Sequence, residues 1–578
     1  MDEPAAYTVA SDSETTTTTT GEEEKPSPPF PEIAIGIDIG TFQSNVAIWR
    51  GSQIELLSNS IRSYVTFKDE LPATGITTSH HTAGGDHREL LSGAAIFNIK
   101  RLIGRADTDP VVHASKTLPF LVQTLNIGTR PFVAAFVNDT WRSTTPEEVL
   151  AIFLLQIKSM AEDQLKRPVR SVVITVPVSF SRFQLTRIER SCAMAGLQVL
   201  RLMPEPTAVA LLYAQQQQIN LQENMGSGSE KVALIVNMGA GFTDVAITAT
   251  AGGVSQIKAL AGNCLGGEDI LLNTMRHLSP DMEARFSNRG RHEIREMGLL
   301  RLVTQDSIHK LSSQTNVRID VDLGNGRKVS KILEREEFEE VNKDIFDECA
   351  RLIRQCLRDA RVEADDLNDV ILVGGCSNIP KLRNIITGVC KRELYTGIDP
   401  FEAAVRGAAL EGAVASGIND PFGSLDLLTI QATPLSIGIR ADGNTFIHII
   451  NRNTTVPVKR EMIFTTVHDN QSEALIVVYE GNEEVAEKNH LLGFFKITGI
   501  PSAPKGVPEI NVCFDIDASN VLRAFAGVVM HGAENVGPSF MEVRMPTVDD
   551  GHGWCGEALN RAFGSSLDLA TAKKKTGH

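Results

Sequence analysis

Asp38 stands inside Gly36-Ile-Asp38-Ile-Gly40-Thr41, where an alternating apolar run gives way to glycine, a carboxylate and a hydroxyl. A second apolar run starts at Val46, so Ile33 to Ile48 reads as a β-hairpin closed by a polar turn. Glycine lets backbone N–H groups approach a phosphate closely, and a carboxylate at a strand end can hold Mg²⁺ through the ion's water shell. The pattern returns 199 positions later: Val236-Asn237-Met-Gly239-Ala-Gly241-Phe242 continues to Val245-Ala-Ile247 and lies over the first stretch without a gap. Two similar hairpins so far apart point to duplicated lobes with a ligand clamped between them. A third glycine turn, Ile371-Leu-Val-Gly374-Gly375-Cys376, joins an apolar strand to a helix. Three such turns in this order point to a phosphate-bearing nucleoside.

The elements around these turns are those of an α/β protein. Thr145-Pro-Glu-Glu148 is a helix start, with Thr145 as cap, Pro146 in the first turn and Glu148 closing a capping box. Leu150, Phe153, Leu154, Ile157 and Ala161 then share one face, and Val172 to Val176 follows as a buried strand. An acid-rich helix is expected from Arg335 to Ala360. From Ala432 to about Val543 the pattern changes to short strands separated by turn residues, among them Phe446–Ile450, Ala474–Tyr479 and Ile510–Ile516. That spacing predicts an antiparallel β-sandwich.

The chain resembles the seventy-kilodalton heat-shock chaperone family, and most closely a short plant-type member. The resemblance is carried by Gly36–Thr41, Lys100-Arg-Leu-Ile-Gly-Arg105, Val173-Ile-Thr-Val-Pro177, Glu205-Pro-Thr-Ala208, Leu265-Gly-Gly-Glu-Asp269, Leu372-Val-Gly-Gly375, Arg452-Asn-Thr-Thr455 and Gly499-Ile-Pro501, in family order between Glu32 and Phe525. It implies an actin-like nucleotide-binding domain over 32–418, an interdomain linker over 419–431 and a peptide-binding β-sandwich over 432–545. A disordered acidic, Thr- and Pro-rich tail would precede them over 1–31, and a short tail over 546–578 would replace most of the helical lid. The implied cofactor is ATP or ADP with Mg²⁺. Asp38 would hold the metal through water, and Lys100 and Glu205 would join it in catalysis. Gly40, Thr41, Gly239, Gly241, Gly267, Glu268, Ser312, Gly374 and Gly375 would bind the nucleotide. Ile439, Phe464, Ala474 and Ile476 match the peptide pocket. Pro177 and Glu205 match the relay between the two halves, and Arg201 matches a contact for J-domain proteins. Implied partners are unfolded or nascent polypeptides, J-domain co-chaperones and nucleotide exchange factors. The acidic Glu-Glu-Val-Asp tail that docks helical-repeat co-chaperones is replaced here by Lys573-Lys-Lys-Thr-Gly-His578.

Departures from the family pattern fall on the chemistry. Asn237 stands where the family has aspartate, and Phe42 and Phe242 replace threonines. The adenosine-facing helix offers Gln305, Ile308 and His309 in place of charged contacts and keeps only Ser312. Cys376 and Asn378 replace a serine and an arginine, and Phe401 an aspartate. A charge-assisted hydrogen bond is worth about 1.5–3 kcal/mol, and each of these substitutions removes the means to make one. Together they predict a degenerate ATP site with weak or slow hydrolysis.

Composition bounds the alternatives. A net charge of −15 over 578 residues argues against nucleic acid and anionic membranes as partners. No apolar run approaches the ~20 residues of a membrane helix, and the acidic N-terminus lacks a signal-peptide layout, so a cytosolic location is expected. The eight cysteines form no Cys-x-x-Cys pair and read as reduced thiols. Three function classes stay open: an ATP-dependent chaperone, a non-hydrolysing co-chaperone or scaffold, and a small-molecule kinase of the actin-like fold. The β-rich half argues against the kinase.

Overall fold

In the computed structural model, residues 33–67, 73–74, 91, 93–124, 130–224, 229–286, 289–324, 326–418, 420, 423–529, 539–541 and 568–571 are described. The leading tail, the adjacent His80 and His81, and most of 546–578 lie outside them. The described residues belong to one packed unit.

Two sheets repeat one plan. The first holds β1 (Ile35–Asp38), β2 (Gln43–Arg50), β3 (Gln53–Arg62), β4 (Ser171–Val176) and β5 (Gln198–Pro204), ordered β5-β4-β1-β2-β3. The second holds β6 (Lys231–Met238), β7 (Thr243–Ala251), β8 (Val254–Asn263), β9 (Asp369–Val373) and β10 (Leu428–Ile430), ordered β9-β6-β7-β8-β10. In each, the leading hairpin strand runs parallel to a strand on one side and antiparallel to its mate on the other. The correspondence reaches single rungs: Asp38 pairs with Asn45, and Asn237 with Asp244. Ile35, Ile37, Leu234 and Val236 are fully buried, as expected of strands covered on both faces.

Helices hold the lobes together. The short α1 (Ile99–Leu102) carries Lys100, and α2 (Pro146–Leu165) lays Val149, Leu150, Phe153, Leu154 and Ile157 into the core of the first lobe. The Glu148 N–H donates to Thr145 Oγ1 at 3.2 Å, and the Thr145 N–H donates to Glu148 Oε2 at 3.0 Å, so the capping box is complete. Then come α3 (Glu205–Asn224), α4 (Gly267–Leu278) and α5 (Arg291–Leu311). The single helix expected from Arg335 to Ala360 is two, α6 (Arg335–Val341) and α7 (Lys343–Ala360). Asn342 divides them because its buried amide donates to Phe338 O at 2.9 Å, a side-chain bond that competes with the helical ladder. Finally α8 (Ala403–Ala415) crosses α3 so tightly that a Cβ on Gly407 would lie 1.9 Å from Ala208 O. Helices of small residues permit that approach, and they form the seam between the lobes.

The strands after β10 make a sandwich: β11 (Ser436–Ala441), β12 (Thr445–Ile450), β13 (Val458–Thr466), β14 (Glu473–Gly481), β15 (His490–Thr498), β16 (Glu509–Ile516), β17 (Leu522–Val529), β18 (Ser539–Met541) and β19 (Leu569–Thr571). Its sheets are ordered β12-β11-β14-β15 and β18-β17-β16-β13-β19, and Ile437, Phe464, Val478 and Phe514 fill the space between them. Part of the expected C-terminal tail is thus a strand.

The sandwich sits against the lobes. Strand β10, which falls in the expected linker, runs parallel to β8, with Leu428 opposite Val254. The Arg182 N–H donates to Glu480 Oε2 at 2.8 Å, and its guanidinium donates to Asn520 Oδ1 at 2.9 Å. Arg452 pairs with Asp359 at 2.7 Å, and the Leu260 N–H donates to Asn453 Oδ1 at 2.8 Å.

Candidate functional site

The glycine turns converge where the two hairpins face each other. A Cβ on Gly241 would lie 2.2 Å from Thr41 Oγ1, so the second turn closes directly over the first. Gly374 has φ +91 and would place a Cβ 2.5 Å from Met238 O and 2.7 Å from Asn237 Oδ1. Only glycine allows both that backbone conformation and that approach. Gly375 opens the short turn that follows, and its neighbour Cys376 is buried with Sγ 3.4 Å from Gly239 O; burial pushes its thiol up to about 12.

Beneath the turns lies a hydrogen-bonded chain of polar side chains. Lys100 Nζ donates to Glu205 Oε1 at 2.5 Å, and Asn237 Nδ2 donates to Glu205 Oε2 at 2.5 Å. All three residues are buried. Helix α3 begins at Glu205 and α1 supplies Lys100, so two helices and the end of β6 build this chain. Thr175 of β4 donates to Asp38 Oδ1 at 2.5 Å. Burial, and next the charge of Glu205, push the Asp38 carboxyl up to about 6, with Lys100 and Thr175 acting the other way.

Asp244 completes the cluster and is not among the residues that the sequence motifs single out. Burial and then Glu205 hold its carboxyl well above the usual carboxylate range, with the Val178 backbone and Lys100 acting the other way. The repeat carries the signal for it: seven residues after Asp38 comes Asn45, and seven after Asn237 comes Asp244. The second hairpin holds the same carboxylate–amide rung in reverse order.

Three carboxyl groups, Asp38, Glu205 and Asp244, therefore gather around one lysine in a buried space, where a bound cation would favour their charged forms. Such a set fits a divalent cation with its water shell. Among the described residues, no three acidic, histidine or cysteine side chains converge closely enough to hold a metal directly.

The space around the second glycine turn is more occupied. The Gly267 and Glu268 N–H groups, at the start of α4, donate to Gly239 O at 3.0 Å and Ala240 O at 2.6 Å. The Glu268 side chain pairs with Arg301. Phe242 is buried in the first lobe's core, its ring 5.5 Å from that of Phe180 and 6.0 Å from Lys100 Nζ. Phe42 stacks under the Arg62 guanidinium at 4.1 Å. A cavity beside Gly40, Thr41 and Lys100 measures about 20 Å³, the room of one water. Ser312 caps the end of α5, where burial and then the charge of Arg62 of β3 lower the pKa of His309. Arg201 pairs with Glu411 and lines a cleft shared with Gln431 and Asn520.

In the sandwich, Ile439, Phe464, Ala474 and Ile476 are fully buried in one apolar cluster, and Leu569 of β19 belongs to it.

The sequence model of the Hsp70 protein family matches residues 34–535. Heat shock 70 kDa protein 8 of Arabidopsis thaliana is 65% identical over 577 residues, 99% of each chain. Heat shock cognate 70 kDa protein 3 of Dictyostelium discoideum is 33% identical over 85% of this chain and 78% of its own. A heat shock 70 kDa protein of Emericella nidulans is 32% identical over 85% of this chain and 75% of its own. On a match that runs through both lobes, the linker and the sandwich, the chain belongs to the Hsp70 family.

Proposed function

We propose that the chain is an Hsp70 chaperone that binds extended hydrophobic polypeptide segments under nucleotide control and turns ATP over slowly. The observation that carries the slow turnover is the Lys100–Glu205–Asn237 chain. Lys100 is held by Glu205, and the group beside Glu205 is an amide, which adds no negative charge to the cation site. Asp38, Glu205 and Asp244 are the residues that would hold hydrated Mg²⁺, and the glycine turns would take the phosphates. When bound, Mg·ATP supplies the triphosphate whose terminal bond is broken. The chain's own contribution is to hold Glu205 between Lys100 and Asn237, with Asp38 near enough to feel the charges of Glu205 and Lys100. Phe242 keeps the second turn anchored in the opposite lobe and leaves no hydroxyl there for phosphate.

Control of the peptide half is supported by the contacts between the halves. Linker strand β10 adds to the second lobe's sheet, and Arg182 and Arg452 reach across to Glu480 and Asp359. A change of angle between the lobes would act on all of them. Arg201, partly exposed in the cleft beside the linker, is where a J-domain protein would meet the chain.

The test is an ATP-binding isotherm with single-turnover hydrolysis on the whole chain. Measurable Mg-dependent affinity with hydrolysis at least tenfold slower than for an Hsp70 carrying aspartate at this position is expected. An ordinary family rate would overturn the slow-turnover reading, and binding without any turnover would favour a non-hydrolysing co-chaperone.

A further inference from the structure

Strand β19 occupies the peptide half in the manner of a bound segment. It pairs antiparallel along the edge of β13, Thr466 opposite Leu569, Thr465 opposite Ala570 and Phe464 opposite Thr571. It lies against β11, β13 and β14, the three strands that carry Ile439, Phe464, Ala474 and Ile476. Leu569 is fully buried with these four side chains. Backbone pairing along a sheet edge, with one anchor side chain in an apolar pocket, is how extended peptides are recognised by strand addition. The residue before the anchor is also held: Arg440 Nε and Nη2 donate to Asp568 Oδ1 at 3.1 and 2.8 Å, with both side chains about 1–2% exposed. Gln471 Nε2 donates to Asp568 O at 3.3 Å.

We propose that Asp568–Thr571 is an internal occupant of the peptide groove, and that Arg440 makes the groove prefer segments with an acidic residue immediately before an aliphatic anchor. The proposal rests on the peptide-groove reading above and deepens it. Burial first, and after it the charges of Asp442 and Glu487, raise the Asp568 carboxyl above its ordinary value, and Arg440 acts the other way. Arg440 is therefore what makes an acidic residue welcome there. Because the occupant is tethered, it competes at an effective concentration in the ~mM range. An internal segment with an intrinsic dissociation constant of about 0.1 mM would then weaken an external peptide roughly tenfold.

The experiment uses the full chain and a fluorescent peptide of residues 564–574, read by anisotropy and stopped-flow release, beside a generic hydrophobic peptide and thermal unfolding of each variant. Leu569→Ser is expected to bind the 564–574 peptide about tenfold more tightly than the unsubstituted chain. The same peptide with lysine in place of the aspartate is expected to bind Leu569→Ser at least tenfold more weakly, and Arg440→Glu is expected to reverse that preference. Equal affinity of the two chains for the 564–574 peptide, with the generic peptide still bound, overturns the proposal and leaves the groove reading standing. Failure of both chains to bind either peptide overturns the groove reading itself. If Leu569→Ser loses the sandwich's unfolding transition, restoration by added 564–574 peptide supports an exchangeable occupant. No restoration at saturating peptide shows a fixed structural strand and overturns the proposal.

Discussion

Asp38→Asn separates the fold's interest from the site's. The Asp38 carboxyl is raised from 3.8 to about 6, first by burial and then by Glu205. A folded-state value above the unfolded one means that the native chain binds an extra proton between those values, so stability falls as pH rises through them. At 1.36 kcal/mol per unit the full penalty is about 3 kcal/mol above pH 7. Asp38 retains some exposure, so about 2 kcal/mol is the working figure after solvent screening. The asparagine variant keeps an oxygen for Thr175 and removes the charge. It is expected to unfold at higher urea than the unsubstituted chain at pH 7.5 with EDTA, and the gap should shrink to about half near pH 5. Added Mg²⁺ with ATP should stabilise the unsubstituted chain and leave the variant unmoved, because ligand that binds only the native state adds to its stability. A variant less stable than its parent at pH 7.5 in EDTA, or a gap that ignores pH, would refute the idea that this carboxylate is kept charged for a cation.

Asn237→Asp is expected to lower stability at pH 7.5 without cation by about 1.5–3 kcal/mol, since a charge-assisted bond to Glu205 is replaced by two facing carboxylates. Those carboxylates share a proton in the folded state, so the deficit should narrow as pH falls toward 5; urea unfolding at both pH values checks it. Hydrolysis by this variant should stay below an ordinary family rate while Phe42 and Phe242 remain, as single-turnover assays would show. Phe242→Thr should cost about 2–4 kcal/mol by emptying the contact with Phe180, and it should open the second turn enough to raise ATP affinity in calorimetry. Arg452→Ala removes the pair with Asp359. It should leave ATP affinity within twofold and reduce the effect of ATP on peptide release by about fivefold, measured by stopped flow.

The hairpins, their repeat and the three glycine turns are legible in the sequence because period-2 apolar runs and glycine spacing are local signals, and the structure places them rung for rung. The capping box at Thr145 is legible for the same reason. The break at Asn342 is not, because the residues around it keep a helical period and its departure to φ −108 and ψ 14, beside a buried side-chain bond to Phe338 O, leaves no mark in that pattern. The destination of Phe242 is equally hidden. Its size is visible in the sequence, but its packing on Phe180 belongs to a contact between lobes.

Asp244 shows most clearly where sequence reasoning stops short. Asn237 stands out in the sequence because the family has a carboxylate there, and its amide implies less charge at the site. In the folded protein the opposite strand of the same rung supplies Asp244, so the hairpin pair presents one carboxylate per lobe, at its first strand in one and its second in the other. What Asn237 changes is the identity of the group bonded to Glu205. An amide there satisfies Glu205 and leaves the cluster with three carboxylates and one lysine, whereas an aspartate would make four. Gly241 lies against Thr41 where the two turns meet, so a fourth carboxylate would add repulsion close to that contact. The lower charge also weakens the pull on a divalent cation, and together with Phe42 and Phe242 it is why the proposed turnover is slow.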